Sequence, residues 1–135
     1  MNYQLTDNHL SGIMELDHLH QKAINALNRL LNSCDSSFEC NEAFFKFQSA
    51  LEKHFKYEQE LMQQYNYPSA EEHNSQHARI RKSLTFLREQ TRQLGSVASV
   101  SLADNIAQSV ANPFMSHIRS SDKELAAFIR SCAGK

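Results

Sequence analysis

Glycine and proline are scarce, three and two in the whole chain, and tryptophan is absent. An all-β protein needs many tight turns built from those two residues, so their shortage argues against sheets, whereas plentiful Leu, Ala, Gln, Glu and Lys suit long helices. No excess of one charge exists either: 14 basic residues stand against 15 acidic ones. No Lys/Arg cluster marks a surface for nucleic acid or anionic lipid, which leaves small-molecule or metal chemistry as the expected class. The three cysteines, Cys34, Cys40 and Cys132, are odd in number and lack C-x-x-C spacing. Free thiols in a reducing cytoplasm are therefore expected rather than a disulfide framework. No apolar run is long enough to cross a bilayer, and residues 1–10 lack the order of a secretory signal, so a cytoplasmic location is expected and no membrane partner. Protein partners have no signature.

What is present is enough for one domain spanning 1–135, with 41% hydrophobic residues to bury in a core. After a polar arm over about 1–11, Ile13, Leu16, His20, Ala23, Leu27 and Leu30 alternate at three- and four-residue steps, predicting an amphipathic helix over 12–33. A break follows, with Ser36 and Glu39 spaced as a capping box. The next stripe, Phe44, Phe47, Leu51, His54, Glu58, Leu61 and Tyr65, predicts a helix over 41–66 that ends at Pro68. Ser69 and Glu72 are spaced to cap a third helix over 69–94, with stripe Ala70, His73, His77, Ile80, Leu84 and Leu87 and a stop at Gly95. The fourth, over 101–131, turns Leu102, Ile106, Val110, His117, Leu125 and Ile129 inward, and Pro113 interrupts it. Four such helices with short connections predict an all-α, antiparallel up-down-up-down four-helix bundle.

The apolar stripes carry polar intruders: His20, His54 with Glu58, His73 with His77, and His117 with Asp122. One buried histidine is more often a hydrogen-bonded core residue than a ligand. Two i,i+4 pairs, with contributions from all four helices, point instead to a metal site in the core. His9 and His18 lie off the stripes and are expected on the surface, as is Asp17.

Seven donors are too many for one tetrahedral zinc, and the segment from His73 to His77 lacks the glutamate of a zinc-hydrolase helix. Only Glu15 and His18 have the Glu-x-x-His spacing of carboxylate-rich di-iron bundles, with His18 off the stripe. Two metal ions fit better, since imidazole suits iron and a carboxylate can bridge two ions. One division places His73, His77 and His117 on one iron and His20 and His54 on the other, with Glu58, Asp122 and a solvent oxygen between them. The first ion is then fully coordinated and the second keeps an open position. One angle resists this picture: His117 and Asp122 are five residues apart, roughly 140 degrees around an ideal helix. A one-residue bulge between Pro113 and Ser121, or an approach of Asp122 from the flank, would bring them together.

The chain resembles the hemerythrin family in its single-domain bacterial form. The resemblance rests on Asp17-His18-Leu19-His20, on His54 to Met62, on Tyr67-Pro68 with His73 and His77, and on His117-Ile118 with Asp122. It implies a non-haem centre of two iron ions joined by an oxo or hydroxo bridge and held by His20, His54, Glu58, His73, His77, His117 and Asp122, which divide as above. It also implies reversible binding of dioxygen for storage, delivery or sensing, with no catalytic base or nucleophile.

Three positions depart from the family pattern. Pro113 stands where a tryptophan is common, Ala23 where a bulky aliphatic residue is common, and Met115 where a leucine is. They are expected to line and reshape the ligand pocket. That favours, as the alternative, a redox enzyme or sensor acting on peroxide or nitric oxide; an iron store is a third reading.

Overall fold

A computed structural model describes residues 3–34, 37–94 and 100–133. Four long helices lie among the described residues: α1 (Met14–Leu31), α2 (Ser37–Gln64), α3 (Ala70–Leu94) and α4 (residues 100–133). No strand occurs among the described residues. α1 packs along α2, α2 on α3, and α3 on α4, so the connections produce the antiparallel up-down-up-down bundle. Ahead of α1, a 3-10 turn at Asp7–His9 lies against α4.

The apolar stripes become the core. Leu16, Leu27, Leu30, Phe44, Phe47, Leu51, Ile106 and Leu125 are fully buried, each worth about 1.5–3 kcal/mol relative to exposure. α2 starts at Ser37, earlier than its stripe suggested; the expected capping residue Ser36 lies outside the described residues, as does Gly95.

The helix ends follow from local chemistry. α2 stops where Asn66 takes a left-handed φ of 51°. Tyr67 N–H then donates to Met62 O at 3.0 Å and Asn66 N–H to Gln63 O at 3.4 Å, a Schellman cap that turns the chain before Pro68. α3 opens as His73 N–H donates to Ser69 O at 3.0 Å. Ahead of α1, Asp17 Oδ1 accepts from Ser11 N–H at 2.8 Å and Ser11 Oγ–H at 2.7 Å. Asp17 thus ties down the entry to its own helix rather than orienting His20.

α4 is not a uniform helix. Two π turns, Ala107–Ala111 and Ile118–Asp122, interrupt its α-helical segments Val100–Ile106, Asn112–His117 and Lys123–Ala133. The first precedes Pro113: Asn112 N–H reaches back to Ala107 O, and the widened turn gives the pyrrolidine ring space beside a carbonyl it would otherwise strike. The interruption expected at the proline takes the form of a π turn just before it.

Candidate metal centre

Each helix delivers its intruders to one place. His20, His54, Glu58 and Asp122 have no exposed surface, and His73, His77 and His117 are at most 3% exposed. His54 and Glu58 meet because they lie four apart on α2, and His73 and His77 because they do so on α3. His117 and Asp122 meet because the second π turn occupies Ile118–Asp122. With i to i+5 bonding, five residues make close to one turn, so the roughly 140 degrees of an ideal α-helix largely disappears.

The five imidazoles all point Nε2 at the two carboxylates. Asp122 Oδ2 lies 2.8 Å from His20 Nε2 and 3.1 Å from His54 Nε2. Its Oδ1 faces the other way, 3.1 Å from His73 Nε2 and 2.9 Å from His117 Nε2. Glu58 Oε1 sits among His54, His73 and His77 at 3.2, 3.3 and 2.9 Å. Two overlapping donor groups result, Glu58, His73, His77, His117 and Asp122 in one, His20, His54, Glu58 and Asp122 in the other, with donor atoms in each within 4.8 Å of one another.

Hydrogen bonding alone does not account for this packing. His20 Nε2 is 2.9 Å from His54 Nε2, and His77 Nε2 is 3.1 Å from His117 Nε2, contacts in which like atoms converge. Glu58 Oε2 and Asp122 Oδ1 are buried without a hydrogen-bond partner. For Asp122 Oδ1 the nearby imidazole nitrogens are close enough but wrongly directed. Unpartnered buried carboxylate oxygens are costly, and lone pairs that converge on a common centre, from mixed nitrogen and oxygen donors, are the arrangement a cation satisfies. The residues present therefore fit bound metal.

Charge tells the same story. Burial pulls the His54 pKa down, but the Glu58 and Asp122 carboxylates more than offset it and raise it to about 10. Burial is likewise outweighed at His73, raised to about 9 by the nearby Asp122 and Glu58 carboxylates. His117 is raised as well, by Asp122 against burial. His77 goes the other way, to about 4, because burial prevails over its contact with Glu58. Burial opposes ionisation of both carboxylates, yet Glu58 is held low by His54 and His117, and Asp122 by His117 and His20. Without metal, the cluster thus collects protons to balance two buried negative charges; a bound cation supplies that charge instead.

The surroundings differ in part from expectation. Ala23 and Met115 are buried in the main core cluster, but Pro113 is exposed. Pro113 lines an outer cleft of about 300 Å³ with Gln76, Ile80 and His117, so it does not wall an inner pocket. Phe114 points inward instead, its ring 5.8 Å from His54 and 6.0 Å from Phe47, both edge-on. Helical spacing agrees with this position, since Phe114 stands four residues after Val110 and three before His117. Phe55, off the α2 stripe, stacks on His77 at 3.8 Å, and the guanidinium of Arg81, paired with Glu52, lies over the Phe55 ring at 5.0 Å from its centre. His9 is also placed differently: it is 9% exposed rather than on the surface, its Nδ1 2.8 Å from Thr6 Oγ1. The 3-10 turn folds it against α4, a contact no helical stripe could reveal. His18 is exposed, as expected.

Fold and site together define a helical bundle protein with a buried histidine-carboxylate cation site. Residues 11–129 match the hemerythrin HHE cation binding domain. The chain belongs to the hemerythrin family. A search of curated proteins finds no match.

Proposed function

We propose that this chain holds two iron ions joined by an oxo or hydroxo bridge and takes up dioxygen reversibly, for storage, delivery or sensing. The observation that carries the reading is the unequal pair of donor groups, three histidines against two, sharing Glu58 and Asp122. Bound iron would supply a reducible, Lewis-acidic centre with a position left for a small ligand on the two-histidine side. The chain's part is to hold and to exclude. Asp122 turns one oxygen to each histidine group, His20 and His54 are sealed from solvent, and Phe114 and Phe55 place hydrocarbon against the imidazoles. No nucleophile or general base stands apart from the metal ligands in this reading, so the chain is proposed not to be an enzyme.

The test is anaerobic addition of ferrous iron to metal-free protein, then air. Two irons per chain and a visible charge-transfer band that reverses on deoxygenation are expected; a single iron, or a band that does not reverse, counts against it. A second reading, reduction of peroxide or nitric oxide, draws support from the clefts that bring solvent to the edges of His73 and His117, where an external electron donor could approach. Repeated turnover with a reductant would favour it. A cytoplasmic setting without nucleic-acid or membrane partners accords with the thiol form of the three cysteines and the balanced charge. No helix among the described residues is long and apolar enough to cross a membrane.

A further inference from the structure

Most of the polar cluster faces inward, but one ligand makes a contact directed away from it. His117 Nδ1 lies 2.7 Å from Gln76 Oε1 on α3, and Ser121 Oγ lies 2.7 Å from the same oxygen. A carboxamide oxygen only accepts, so His117 Nδ1–H and Ser121 Oγ–H both donate to it and occupy its two lone pairs. The proton of neutral His117 therefore sits on Nδ1, leaving Nε2 bare toward Asp122 Oδ1 and His77 Nε2, at 2.9 and 3.1 Å. His20 and His54 have no such support, for their Nδ1 atoms are buried without a partner.

We propose that Gln76 is a positioning residue for the three-histidine half of the centre: it selects the tautomer and ring orientation of His117 and, as a neutral acceptor, sets the reduction potential of the metal held there. This rests on the metal-centre reading above. An acceptor behind a ligating imidazole fixes its orientation and raises its basicity, and a carboxylate does so more strongly than an amide because its charge draws the Nδ1 proton. A more basic Nε2 favours the oxidised metal. The amide at position 76 thus holds the potential above the value a carboxylate there would give. Ser121 belongs to the same π turn as Asp122, so its hydroxyl ties the position of that turn to Gln76. Gln76 is half-buried and borders both outer clefts, of about 300 and 280 Å³, so a charged isostere has access to solvent and can be accommodated.

The experiment compares wild type, Gln76→Glu and Gln76→Leu by anaerobic iron(II) titration against a competing chelator, followed by potentiometric titration of the loaded proteins. Gln76→Leu should lose about ten- to a hundredfold in metal affinity. Gln76→Glu should keep wild-type affinity and move the midpoint potential to a more negative value. Wild-type affinity in Gln76→Leu, or a potential in Gln76→Glu that is unchanged or more positive, overturns the proposal while leaving the metal centre standing. Should Gln76→Leu fail to fold, the potential of the isosteric Gln76→Glu decides by itself. Wild-type protein that takes up no iron overturns the metal-centre reading, and the proposal with it.

Discussion

The two halves of the centre are built to different standards. Around His73, His77 and His117 the imidazoles are braced from behind: Gln76 holds His117, and Phe55 stacks flat on His77. Around His20 and His54 the rings have unpartnered Nδ1 atoms, contact each other edge-on at 4.4 Å and have no exposed surface. The braced half touches the outer clefts through His73 and His117. Bracing from behind thus stands on the side where coordination is proposed to be complete, and full sealing from solvent on the side where it is proposed to be open.

The contrast can be broken most forcefully at the shared carboxylate. Glu58→Ala should abolish loading of both metal positions, because it removes a donor from both groups and unbalances the remaining charge; metal analysis of purified protein reads this directly. His77→Ala should sharply lower iron content, starting with the three-histidine position, and His18→Ala should leave content unchanged. Equal losses from all three variants would dissolve the distinction between buried donors and a surface histidine.

A smaller effect tests the hydrocarbon wall of the sealed half. Phe114→Ala should destabilise the fold by about 3–5 kcal/mol in chemical denaturation and admit water beside His54. Retained stability would mean that the wall collapses to fill the space.

The charge pattern yields a third. In metal-free protein, His54 and His73 keep protons in the folded state up to about 10 and 9, whereas unfolded histidines lose theirs near about 6.5. Their contribution is complete below about 6.5 and is lost as pH rises through 9 and 10. His77, lowered to about 4, acts oppositely: the unfolded chain takes up that proton first, so stability falls as pH drops from about 6.5 through 4. The depressed carboxylates Glu58 and Asp122 add to the acid-side loss. Thermal midpoints of metal-free protein should therefore peak near neutrality. Loaded protein should show a flatter profile over the alkaline range, since ligated imidazoles no longer titrate there.

The smallest expected effect concerns Pro113. Its exposure predicts that Pro113→Ala changes stability by no more than about 0.5 kcal/mol and leaves metal content intact. A large loss of metal would return the proline to the ligand pocket.

Much of this architecture was legible from residue spacing. Helical periodicity works wherever one face is buried for several turns, which is why His20, His54, Glu58, His73 and His77 could be assigned to stripes. It fails where the period changes. Asp122 could be reconciled with His117 only by a bulge or an approach from the flank, and the second π turn provides the bulge. Contacts between separate elements leave no periodic mark at all, so neither the Gln76 brace nor the burial of His9 could be read from the chain. The identity of the metal and the ligand it takes rests on the resemblance and the donor chemistry.

The second π turn has one more consequence. A π turn accommodates an extra residue without adding a full step to the helix, so α4 keeps His117 and Asp122 in phase by residue number rather than by residue identity. Arg119 and Ser120 are exposed there, and substitutions at either should be tolerated. Loss of one residue between 118 and 122 would return the segment to the regular α-helical period with the aspartate four residues after His117, still on its face, so the helix beyond keeps its register. The π turn thus works as slack in the chain, let out or taken up by one residue without turning the two ligands away from each other.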